Sequence, residues 1–83
     1  MSRTLTLQPV RVATNYDDDG MLVFNGHQRL VAVLTHLSEQ NEVAPGQWYL
    51  EAGFGHLGGI SHPTFADLEA AQDWICQRLD EYA

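Results

Sequence analysis

The sequence predicts an α+β domain, a small antiparallel sheet of three to four strands with one C-terminal helix packed on one face. Two stretches carry that expectation. In QWYLEAGFG (47–55), Trp48, Leu50, Ala52 and Phe54 recur at every second residue, the period of a strand. In DLEAAQDWICQRLDEY (67–82), Leu68, Ala71, Ile75, Leu79 and Tyr82 form one stripe at helical spacing. A third signal, the Asn25-Gly26 pair between two apolar runs, marks a hairpin.

The elements follow in chain order. Thr4–Val12 alternates as a strand, with Leu5 and Leu7 on one face and an apolar phase that moves to Val10 and Val12 after Pro9. Proline has no N–H for a ladder, so this is an edge strand or one bulged at Pro9. TNYDDDG (14–20) is a polar turn, and Met21–Phe24 a short apolar strand. Asn25-Gly26 then suits a type I′ turn, in which both residues take positive φ. The next strand, Gln28–Leu37, carries Leu30, Ala32 and Leu34 on one face and Val31, Val33 and Leu37 on the other. A polar loop, SEQNEVAPG (38–46), leads to the strand 47–54. A glycine-rich connection, GHLGGISHPT, leads into the helix Asp67–Tyr82, with Asp67 as its N-cap and Glu69 in the first turn. The expected core is Leu22, Phe24, Leu30, Ala32, Leu34, Trp48, Leu50, Ala52, Leu68, Ala71, Ile75 and Leu79.

Composition bounds the rest. The 83 residues form a single domain, 1–83. A chain of this size buries only about 60–65% of its unfolded surface and holds one small core. Hydrophobic residues at 45% exclude a disordered tail. Eleven Asp and Glu stand against four basic residues, all Arg, for a net charge of −7. Phosphate binding works by counterion release to Lys and Arg, so direct nucleic-acid binding is not expected. An anionic membrane surface is disfavoured by the same sign. The one cysteine, Cys76, cannot form an internal disulfide, and MSRTLTLQPVRV lacks the apolar run of a signal peptide. The expected location is cytoplasmic.

Three motifs invite chemistry. Gly53-Phe54-Gly55-His56-Leu57-Gly58 matches G-x-G-x-x-G after a strand, but a dinucleotide site needs a helix at its third glycine and a further parallel strand. Here the helix starts near Asp67, so the motif reads as a loop. Asp17-Asp18-Asp19-Gly20 lacks the alternating ligands and closing Glu of a calcium loop, since position 26 is Gly. His27, His36, His56, His62 and Cys76 lack the spacing of a zinc site; His56 and His62 share one loop. Ser61 next to His62 is not a nucleophile–base arrangement. No catalytic, cofactor-binding or metal residue is therefore assigned.

One strand bears on function. Leu30–Leu37 is apolar on both faces, as in a strand covered on both sides, yet one helix covers one face. The other face needs a partner, a second copy or a curled sheet. The expected partner surface comprises Val31, Val33, Leu37, Tyr49 and Trp74. The function this suggests is a small non-enzymatic binding or accessory protein acting through a protein–protein surface, with a homodimer as one form of it. Alternatives are an acidic inhibitor that mimics nucleic acid on a basic surface, and small-molecule or metal binding at the Gly/His loop 53–62.

Overall fold

The computed structural model describes residues 5–13, 19–40, 42–57 and 62–81. It is an antiparallel meander of five strands followed by one helix: β1 (Thr6–Arg11), β2 (Asp19–Phe24), β3 (Leu30–His36), β4 (Trp48–Gly53), β5 (Thr64–Phe65) and α1 (Leu68–Glu81). A 3₁₀ turn, Gly55–Leu57, lies between β4 and β5. The strand count is five rather than three to four. The fifth strand is two residues at the junction of the expected connection and the helix, too short for periodicity to reveal. It pairs Trp48 with Phe65 and Tyr49 with Thr64. Of the expected turn at 14–20, residues 14–18 lie outside the described residues, as does Tyr82, whereas Asp19 and Gly20 belong to β2, drawn into the ladder by pairing with Arg11 and Val10.

β1 is an edge strand, as Pro9 requires. It pairs without a break from Thr6–Phe24 to Arg11–Asp19, so the bulge considered at Pro9 is not there. The hairpin after β2 also differs from expectation. Gly26 has no positive φ; Gln28 does, at 61°. The Gln28 N–H donates to the Asn25 carbonyl at 3.0 Å, and the Asn25 N–H to the Arg29 carbonyl at 2.9 Å. Asn25 Oδ1 accepts from the His27 and Arg29 N–H groups at 2.9 and 3.0 Å. This is a three-residue loop, a β-turn followed by a left-handed residue, in place of a two-residue I′ turn. The asparagine side chain decides between them by closing the wider loop. Gln28→Gly is accordingly expected to raise stability by about 1 kcal/mol, since glycine carries no Cβ penalty at that φ. Urea unfolding measures it; a loss of stability would show that the left-handed residue lies elsewhere.

Two register shifts sort the side chains between the faces. Val23 pairs with Ala32 but Phe24 with Leu30, which leaves Val31 as the extra residue of β3. Val33 pairs with Ala52 but Leu34 with Leu50, which leaves Glu51 as the extra residue of β4. A bulge inverts the face of everything beyond it. The helix-side face therefore carries Leu7, Met21, Val23, Ala32, Leu34, Trp48, Leu50 and Phe65. Val23, Ala32, Leu34, Leu50 and Phe65 form the buried core with Leu57, Ala71 and Ile75, and Val31 joins them. Leu5, Leu7, Met21, Trp48, Leu68, Trp74 and Leu79 pack around it.

The expected core is corrected at four places. Leu22, Phe24, Leu30 and Ala52 are half-buried and register with the opposite face, while Val23 and Val31 are inside. MLVF is apolar at every position, so its phase is set only by pairing with β3. Asp67 caps the helix as expected: its Oδ1 accepts from the Ala70 N–H at 2.8 Å.

Candidate functional site: the helix-free face of the sheet

The second face is built by the same registers. Leu22, Val33 and Ala52 form a row across β2, β3 and β4. Phe24 and Leu30 lie beyond it at one end; Thr35 and Tyr49 lie at the other. Val10 joins from β1 opposite Gly20. Except for buried Thr35 and Gly20, these side chains are half-buried. Their sequence signal is the absence of polar alternation in β2 and β3, which marks a strand with two apolar faces without saying which residue belongs to which.

The end of β1 folds over part of this face. A Cβ at position 20 would lie 2.5 Å from Val12 Cγ2 and 3.0 Å from the Leu34 carbonyl oxygen, so a side chain there would force Val12 to shift. Beside it Thr35 is 2% exposed and donates from Oγ1 to Glu51 Oε1 at 3.0 Å. That bond brings the Glu51 carboxylate to the same face at its margin, where β5 is too short to reach.

The loop after β3 extends the face beyond the strand ends. A cleft of about 410 Å³ is lined by Leu37, Val43, Ala44, Tyr49, His62 and Thr64. Val43 is 92% exposed at its rim, whereas Ala44 is buried. The His62 ring stacks on Tyr49 with centroids 5.9 Å apart. Its Nδ1–H donates to the Leu50 carbonyl at 2.7 Å, since a carbonyl can only accept. The Leu50 N–H donates to the Pro63 carbonyl at 3.0 Å, so residues 62–65 are held along β4 by main chain and imidazole together.

The five residues expected at a partner surface do not share one place. Val33, Leu37 and Tyr49 lie on the helix-free side and are half-buried. Val31 is buried in the core cluster and offers little surface. Trp74 is on the helix side, tilted against Phe65 with centroids 5.5 Å apart and under the Arg78 guanidinium at 4.9 Å. Periodicity cannot detect a bulge, and this one separates Val31 from Val33. Leu22, Phe24, Leu30 and Ala52, expected in the core, belong to this surface instead.

On the helix side a second cleft, about 420 Å³, is lined by Pro9, Val10, Arg11, Asp19, Gly20, Met21, His36 and Trp48. His36 stacks on Trp48 with centroids 4.5 Å apart, and its Nε2–H donates to the Gly46 carbonyl at 3.2 Å. Arg11 and Asp19 are 3.8 Å apart at the mouth and both well exposed, a pair that contributes little to stability.

His27, His36 and His62 are dispersed over a turn and the two faces, and the His56 side chain lies outside the described set. Among the described residues no group of three or more His, Cys, Asp or Glu side chains is placed to hold a metal ion. None of the helices among them is long and apolar enough to cross a membrane. Comparison with protein-family models, curated proteins and solved structures finds no match to this chain.

Proposed function

We propose that this chain is a small non-enzymatic binding protein that acts through a protein–protein surface, the helix-free face of its sheet. The observation that carries the reading is the row Leu22–Val33–Ala52 with Phe24, Leu30 and Tyr49 around it. It is an apolar face built by β2, β3 and β4 and joined by Val10 of β1, whose exposed Thr6 and Gln8 border it opposite Phe24 and Leu22. No helix of the described chain lies over it. Contiguous apolar surface of that kind on a small domain marks an interaction site. The nearly fully exposed Val43 extends it at one corner.

Charge mimicry of nucleic acid is less well supported. The carboxylates Asp19, Glu39, Glu42, Glu51, Asp67, Glu69 and Asp73 are distributed over β2, the 38–47 loop, β4, the helix N-cap and the helix rather than along one face.

A photo-reactive phenylalanine analogue placed at position 33 tests the reading in the source cell. A discrete protein adduct is expected from position 33 and none from position 77, which is exposed on the helix. Adducts from position 77 alone, or none from 33, would refute it.

A further inference from the structure

Resting on that reading of the face, we infer that its occupant is a second copy of this chain, packed sheet against sheet about a two-fold axis near Val33. Three observations support a self-complementary mate.

The first is charge. The chain carries −7, yet Glu51 is the one charged side chain that the described strands place on this face, and it sits at the margin; Glu39 and Glu42 are confined to the bordering loop. A basic partner would find almost no countercharge there. A neutral apolar surface is the better match, and an identical copy supplies one.

The second is symmetry. In a two-fold contact the same patch meets itself, so its centre must tolerate its own image. The centre here is Leu22, Val33 and Ala52, three uncharged side chains of modest size that a copy can interdigitate at the usual sheet separation of about 10 Å.

The third is area. Four strands of six or seven residues span about 20 by 20 Å in plan. With the bordering loop and residues 62–64, each copy offers about 600 Å², or about 1,200 Å² in the pair, the small end of specific interfaces. The result is a reversible dimer whose monomer remains folded on its own core. Because both copies are acidic, association should tighten as salt screens their repulsion.

Sedimentation equilibrium of the full chain, across micromolar to submillimolar concentration and at low and moderate salt, tests this. A monomer–dimer equilibrium that strengthens with salt is expected, weakened at least about tenfold by Val33→Glu. Ala52→Glu, at the end of the same row, serves as the second variant should Val33→Glu not fold. Gln77→Glu, on the exposed side of the helix, should leave association unchanged. A protein monomeric under all conditions, or a dimer indifferent to both row variants, overturns the inference. Adducts from position 33 with a different protein would then preserve the binding reading, and loss of those adducts too would remove both.

Discussion

Replacing Gly53 with alanine is expected to destabilise the fold by about 3 kcal/mol. The residue ends β4 opposite Ala32, where the 3₁₀ turn brings Leu57 back across the strand. A Cβ there would lie 2.5 Å from the Leu57 carbonyl oxygen, 2.8 Å from its Cβ and 2.9 Å from its carbonyl carbon. Two of those atoms are backbone, so no rotamer change relieves the overlap. The turn must lift, and Leu57, 1% exposed, must leave the core that it shares with Ala71 and Ile75. In a domain of this size such a loss lowers the melting temperature by about 15 °C. Thermal unfolding followed by circular dichroism measures it. An unchanged midpoint would mean that the turn does not rest on Gly53.

Leu34→Ala should cost more, about 4 kcal/mol, most of what a small domain has. Leu34 is fully buried, pairs with Met21 on one side and Leu50 on the other, and faces the helix. Its neighbours are held by the ladders of three strands, so the cavity cannot collapse and both the transfer and the cavity contributions are lost. Val33, adjacent in sequence but on the other face and half-buried, should lose no more than about 1 kcal/mol on the same truncation. Chemical denaturation of the two variants side by side reads the difference. Equal losses would mean that both faces are covered within one copy, and the interface reading would lose its basis.

The contrast between these neighbours shows where the sequence is informative. Trp48 and Leu50 are inward at strand period, Ala71 and Ile75 are inward at helical period, and Asp67 caps the helix that they define. Periodicity and capping are local, so they could be read from the chain. The meander followed from short connections, and Pro9 correctly identified an edge.

What the sequence left open is everything decided between strands. Val31 and Glu51 are the extra residues of two bulges, and each reverses the faces beyond it. Those reversals placed Val31 in the core and put Leu30 and Ala52 on the surface, while plain pairing with β3 put Leu22 and Phe24 there; Val33, Leu37 and Tyr49 are the part of the expected patch that shares one side. An amino-acid pattern apolar at every position is compatible with either phase; the pairing partner chooses. The loop at Asn25 chose likewise, through a side chain that bonds two N–H groups and moves the left-handed residue from Gly26 to Gln28. Composition and period determined that this chain would form a sheet, a helix and a strand apolar on both faces. Only tertiary structure decided which residues make that face, because side-chain direction in a sheet depends on register, and register is a property of two strands rather than one.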